Sequence, residues 1–159
     1  MTEYFAGHEA DPSDLIREAF EQVAEHEMKE MPFLHPDVKV GTYAFQVFEG
    51  QWVGAVLTPW MLSVFILPGP GQEWPVRKVG AKMGVTLPRK DMPFIVSEID
   101  GVGQYLSSSL MSPLNRKKSA AELAEVAKAC IDELLLSHED GNNAPVQKER
   151  RRFLLRQID

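Results

Sequence analysis

Between Glu49 and Glu73 the chain carries no charged side chain, and this run constrains the fold more than any other stretch. An uncharged apolar run of 18 or more residues is the usual signal of a membrane-spanning helix. The punctuation argues otherwise. Glu49-Gly50-Gln51 reads as a hairpin turn, Thr58-Pro59 interrupts the middle, and Pro68-Gly69-Pro70-Gly71 ends the run, so it divides into pieces of strand length. The expectation is a buried pair of strands in a protein that is not an integral membrane protein.

Three strands are predicted across this region: Tyr43, Phe45 and Val47 alternating with Ala44, Gln46 and Phe48, then Trp52 to Thr58, then Met61 to Leu67. The second and third are apolar on both faces, which places them centrally or keeps one face for a partner. Met83 to Leu87, Phe94 to Ile99 and Gln104 to Leu110 supply three more, with a tight turn at Asp100-Gly101. Six strands joined in hairpin order make a mainly antiparallel sheet.

Two helices bracket the strands. Asp11-Pro12-Ser13-Asp14 offers a cap, a first-turn proline and acids near the positive end of the helix dipole. Leu15, Ile16, Ala19, Phe20, Val23 and Ala24 follow at helical spacing, ending near Met28. Ser119-Ala120-Ala121-Glu122 has capping-box spacing and opens a helix presenting Leu123, Val126, Ala127, Cys130, Ile131 and Leu134. The fold class expected is α+β, a single antiparallel sheet of about six strands with the N-terminal and C-terminal helices packed on one face. Residues 1–137 form one such domain, and 138–159 a polar linker and basic C-terminal tail.

The net charge of −6 is unevenly placed. Residues 1–49 hold eleven acids against Arg17, Lys29 and Lys39, a balance of −8, while the remainder carries +2. The acidic end favours a basic partner and repels nucleic acid, or is simply a solvated helix face, the commoner case. The first ten residues lack the basic region and apolar run of a signal peptide, and a single cysteine suits a reducing compartment; the expected localisation is cytoplasmic.

No catalytic set emerges. There is no phosphate loop and no nucleophile elbow, and Ser107, Ser108 and Ser109 have no histidine near them in sequence. His8, His26, His35, His138 and Cys130 fall on different elements, so no metal ligand set or cofactor site is indicated. Glu98 and Asp100 share one strand face if the strand runs on through them, a spacing open to acid-base work or to plain solvation. The residue types at Trp52, Trp60, Met61, Trp74, Tyr105 and Met111 are those that dominate recognition surfaces, and each is equally a core residue type.

Phe48-Glu49-Gly50-Gln51-Trp52, Thr58-Pro59-Trp60-Met61-Leu62-Ser63, Pro68-Gly69-Pro70, Trp74-Pro75, Asp100-Gly101-Val102, Gln104-Tyr105-Leu106 and Ser109 to Leu114, in this order, resemble the HybE family of nickel-iron hydrogenase assembly chaperones. With one cysteine, the chain resembles the short form, without the rubredoxin module that needs four. The resemblance implies a non-enzymatic chaperone with no cofactor. Its partners are then the hydrogenase small subunit with its twin-arginine signal peptide, and the large subunit, both held before export. A maturation enzyme or redox-group carrier acting on the hydrogenase is the alternative. Under the chaperone reading the partner-binding candidates are Trp60, Met61, Trp74, Glu98, Asp100 and Tyr105, with Glu18, Glu21 and Glu25 as further acids for a pair of arginines. Arg150-Arg151-Arg152-Phe153-Leu154 is itself similar to a twin-arginine core, at the wrong end of the chain to direct export. Two readings stay open: a basic tail lying on acidic surface or solvated, the commoner fate of such a cluster, or one that, tethered by residues 138–145, occupies the chain's own signal-peptide site when that site is empty.

Overall fold

The computed structural model describes residues 4–27, 30–32, 34–88, 90–135 and 154–158, the last stretch as backbone. In chain order the elements are β1 (Tyr4–Ala6), α1 (Ser13–His26), β2 (Gly41–Phe48), β3 (Gln51–Thr58), β4 (Met61–Leu67), β5 (Glu73–Pro75), β6 (Lys82–Thr86), β7 (Asp91–Ile99), β8 (Gly103–Met111), α2 (Ala120–Leu135) and β9 (Leu154–Ile158). The predicted linker and the arginine cluster, up to Phe153, lie outside the described residues.

All six predicted strands form, and the α+β class holds. Their order differs from a run of hairpins. The main sheet runs β2-β3-β4-β8-β7-β6-β9, antiparallel throughout. Two meanders, β2-β3-β4 and β6-β7-β8, therefore meet at a central β4–β8 pairing. The chain reaches from the end of β4 to the far side of the sheet through a loop that carries β5, which pairs with β1 as a separate two-stranded ribbon. Three-residue strands such as β1 and β5 carry too little pattern to be read from the sequence.

The helices pack on opposite faces of the sheet, which corrects the expected placement on one face. On one side Ile16 and Phe20 of α1 meet Val56, Phe65, Leu67 and Tyr105. On the other, Leu123, Ala127, Ile131 and Leu134 of α2 meet Val53, Ala55, Leu57, Leu62, Val64 and Ile66. Successive strand residues point to opposite faces, so β3 and β4, apolar at almost every position, feed both cores. That is the physical reason for their continuous apolar character. Each fully buried leucine or isoleucine in these layers contributes about 1.5 to 3 kcal/mol.

The start of α2 follows its sequence signal. Ser119 Oγ accepts from the Glu122 N–H at 3.0 Å, and Glu122 Oε1 accepts from the Ser119 N–H at 2.8 Å, a reciprocal capping box. At α1, Pro12 stands at the N-cap rather than at the first helical position, without a side-chain cap hydrogen bond, and Asp11 accepts from the Ser13 N–H at 2.9 Å. The helix ends at His26, short of the expected Met28. Leu15, expected on the buried face, is 46% exposed.

The strands towards the two ends of the sheet differ. β2 contains a bulge: its register with β3 shifts between Tyr43 and Gln46, and Ala44 sits at φ 59°. The bulge turns Phe45 onto Gly54, where a Cβ would stand 2.3 Å from the ring. β6, by contrast, pairs without irregularity on both sides, with β7 and with β9.

Three backbones cross tightly where the N-terminal segment meets the β2–β3 turn and the loop after β4. A Cβ on Gly7 would lie 1.7 Å from Gly69 O, and one on Gly69 would lie 1.7 Å from Gly50 O. Around the crossing, Gln72 accepts from the Gly69 N–H at 2.8 Å through Oε1 and donates to Gln51 Oε1 at 2.7 Å. Trp52 donates its indole N–H to His8 O at 2.8 Å.

Burial of His8 at this crossing pushes its pKa below the ordinary 6.5, and a hydrogen bond with the Val102 backbone opposes the shift. The folded chain therefore holds His8 neutral while the unfolded chain takes up a proton near 6.5. Stability is complete above that value and declines as pH falls from it towards the lower folded pKa. Thermal melts between pH 7.5 and 5.5, to about half a pH unit, should show the midpoint falling on acidification, and His8→Gln should flatten that part of the curve. A wild-type midpoint that stays level or rises over this range would contradict the assignment.

Candidate partner-binding surface

Tyr105 and Trp74 are core residues. Tyr105 is 6% exposed and stacks on Phe65 with ring centroids 4.5 Å apart, while Phe20 meets Phe65 edge-on at 5.6 Å. Burial pushes the Tyr105 phenol up to about 12, against a hydrogen bond with Ser97, so it stays protonated at neutral pH. Trp74, on β5, is 7% exposed within the α2-side core. The Arg77 guanidinium lies 5.5 Å from the ring centroid, and desolvation lowers the Arg77 pKa. Gln104 holds the Arg77 backbone from both sides, accepting from its N–H at 2.9 Å and donating to its carbonyl at 2.7 Å.

Trp60 and Met61 form the β3–β4 turn and the first residue of β4. Both are half-buried and lean on the α1-side core. Thr58 fixes the turn: its Oγ1 accepts from the N–H groups of Trp60 at 3.3 Å and Met61 at 3.1 Å. Of Trp60, Trp74 and Tyr105, Trp60 is the one that is not buried. Ser63, buried below, donates to Met61 Sδ at 3.4 Å.

Glu98 and Asp100 do not act as a pair. Glu98, next to the last residue of β7, is an exposed side chain that accepts from Gln104 Nε2 at 3.2 Å. Asp100 lies past the strand, in the turn to β8. There it joins the first turns of α1: Leu15, Glu18, Ala19, Glu21, Gln22, Asp100 and Gly101 line one shallow pocket of about 380 Å³. Glu21 and Glu25 also wall a second hollow of about 320 Å³ on the other flank of α1, with Ala24, Val38, Lys39, Val40 and Pro59. Arg17 is engaged within the helix, with Asp14 at 3.4 Å and Glu21 at 3.3 Å. α1 is thus an acidic ridge with exposed Leu15 beside it. The sequence placed Asp100 and Glu18 82 positions apart, and only the packing of α1 across the sheet brings them to one pocket.

The largest of the three hollows described lies on the opposite side. Met92, Leu110, Val126, Ala129, Cys130 and Leu134 form an apolar groove of about 470 Å³ between α2 and the sheet, with Lys90 and Glu133 at its rim. Cys130, expected as a core residue, is half-buried in this wall, and desolvation raises its thiol pKa. His35 is buried with both ring nitrogens bonded: Nδ1 accepts from the Asp37 N–H at 3.2 Å, which leaves Nε2 to donate to Lys118 O at 2.7 Å. Its role is to join the loop before β2 to the loop before α2. Among the described residues no group of three or more His, Cys, Asp or Glu converges as a metal site, and no helix is long and apolar enough to cross a membrane.

Comparison with known proteins agrees with this architecture. The family model described as NiFe-hydrogenase assembly, chaperone, HybE matches residues 11–157. The Hydrogenase-2 operon protein HybE of Escherichia coli K12 is 48% identical over 135 residues, spanning 85% of this chain and 83% of that protein. The hydrogenase expression/formation protein HupJ of Bradyrhizobium diazoefficiens is 28% identical over 123 residues, 77% of this chain and 71% of that protein. The solution structure of Escherichia coli HybE superposes with a TM-score of 0.73 at 48% identity, covering 85% of this chain and 83% of that one. A match over nearly the whole chain, in sequence and in fold, establishes that the chain belongs to the HybE family of nickel-iron hydrogenase assembly chaperones.

Proposed function

We propose that the chain holds a hydrogenase small subunit by its twin-arginine signal peptide, and also the large subunit, in the cytoplasm before export, without itself catalysing a reaction. The observation that carries the signal-peptide part is the acidic pocket of Glu18, Glu21 and Asp100 beside the exposed Leu15 and Ala19. Adjacent arginines followed by an apolar run need carboxylates beside apolar surface, and carboxylates hold guanidinium groups in bidentate fashion. Trp60 and Met61 offer a second patch at the β3–β4 turn, near the far end of α1, where Pro59 joins Glu21 and Glu25 in one hollow. Trp60 is the anchor assigned to a partner's apolar segment.

The test uses a labelled peptide carrying two adjacent arginines and an apolar run. Exposed charge pairs are screened within about 8 Å at physiological ionic strength, so affinity should fall steadily as salt rises. The double variant Glu18→Gln, Asp100→Asn should bind about fivefold more weakly, since exposed pairs contribute up to about 1 kcal/mol each. Asp132→Asn on α2 serves as control. Salt-independent binding, with the double variant indistinguishable from the control, would remove the arginine-receiving role from this pocket.

A further inference from the structure

The β7–β8 hairpin turns through Asp100, Gly101 and Val102, between the paired Ile99 and Gly103. The Val102 N–H closes it on Ile99 O at 3.1 Å. Val102 is tucked into the α1-side core, while Asp100 and Gly101 are exposed. Gly101 sits at φ 89° and has nothing within 4 Å of a built Cβ, so the outer side of the turn is open. Among the described residues the Asp100 carboxylate has no hydrogen bond or ion pair, and the Gly101 N–H has no acceptor.

These two free groups are covalent neighbours. A carboxyl carbon attached to Cβ and the amide nitrogen of the next residue can close a succinimide ring when that nitrogen is not held in a hydrogen bond and its residue adds no bulk at the point of approach. The other described aspartates differ. Asp14, Asp91 and Asp132 stand inside α1, β7 and α2. Asp11 precedes Pro12, which has no N–H. The N–H after Asp37 belongs to buried, β-branched Val38 and donates to His35 O at 3.4 Å.

We infer that Asp100-Gly101 is a self-modification site at which the folded chain converts aspartate to isoaspartate. The Gly101 nitrogen attacks Cγ of the protonated Asp100 carboxyl; a C–N bond forms, a C–O bond breaks, and the hydroxyl leaves with the amide hydrogen as water. Water then adds back. Opening the ring at Cγ restores aspartate, whereas opening it at the Asp100 main-chain carbonyl leaves the chain running through Cβ and Cγ with the α-carboxylate free. Nothing is oxidised or reduced, and no atom is gained or lost overall. The product lengthens the backbone of a turn that a hydrogen bond holds closed, and it moves the carboxylate that Asp100 contributes beside Glu18 in the α1 pocket. Its free α-carboxylate is the group that an isoaspartyl methyltransferase accepts.

The test is incubation of the full-length chain at neutral pH and body temperature, sampled over weeks. Cleavage after Lys90 and Arg116 isolates residues 91–116, whose isoaspartyl form has unchanged mass and separates by chromatography. A synthetic peptide of the same residues supplies the unfolded rate. The folded chain should convert within about tenfold of the peptide, so that the turn adds no more than about 1.4 kcal/mol to the barrier. Slower conversion than that would overturn the proposal, because the hairpin would then protect the bond. Asp100→Glu, whose ring closes far less readily, should lose the product, and Asp100→Asn should gain it faster, with ammonia leaving in place of water. Product persisting in Asp100→Glu would also overturn the assignment. The site stands independently of what α1 binds, and only its effect on capture rests on the proposed arginine-receiving role. The separated isoaspartyl chain should bind the paired-arginine peptide as weakly as freshly prepared Asp100→Asn; full conversion with unchanged affinity would support the modification and count against that role.

Discussion

Gly69→Ala should lower stability by about 3 kcal/mol or more, at the top of the range that overpacking costs, and should lower the thermal midpoint by roughly 10 °C for a chain of this size. The added methyl meets no flexible side chain. It meets Gly50 O at 1.7 Å, so two backbones must part, and with them the hydrogen bonds from Gly7 N–H to Gln72 O at 2.7 Å and from His8 N–H to Pro68 O at 3.0 Å. Gly80→Ala isolates the conformational part of such a change. Gly80 has φ 96° and nothing within 4 Å of a built Cβ, so its loss should cost only about 1 to 2 kcal/mol. Chemical denaturation of the two variants checks the pair of values, and equal losses would show that the crossing yields easily.

Trp74→Ala should cost about 3 to 5 kcal/mol, as for other large aromatic truncations in packed interiors. The indole fills the α2-side core from β5, and its removal also strips Arg77 of the ring beneath its guanidinium. Capture of a partner should then fall in proportion to the folded fraction. Trp60→Ala, at a half-buried position on the turn, should cost less in stability and more in capture per folded molecule. Measuring folded fraction by circular dichroism beside binding separates the two. If Trp74→Ala loses capture while remaining fully folded, it belongs to the partner surface after all.

The contrast between these tryptophans marks where linear reading stops. Local signals were dependable: the Ser119/Glu122 capping box, the Gly50 and Gly101 turns and the period-2 runs all became the elements they announced, because each is decided within a few residues. Composition also identified the relevant residue types, but the same indole serves as core or as anchor. Which it becomes depends on whether a ribbon such as β1–β5 folds it inward, and three-residue strands leave almost no pattern to read. The helix faces were legible in principle. β3 and β4 are apolar on both sides, and two covering layers follow from that, yet the same pattern also suits one covered face and one reserved for a partner. Asp100 joining Glu18 was not legible, since the strand order and the packing of α1 on the sheet together determine it.

The central β4–β8 pairing has a consequence for the chain as it is made. β4 ends at Leu67 and its outer neighbour β8 begins at Gly103, so 35 residues must be synthesised before that edge can close. At about 5 to 20 residues per second, a nascent chain displays β4 as an open edge for a few seconds, with Leu62, Val64 and Ile66 on one side and Phe65 and Leu67 on the other. Such an edge is a template for misassociation. A member of a hydrogenase-assembly chaperone family thus passes through an unguarded stage of its own on the ribosome, and its most apolar strand is the one kept waiting.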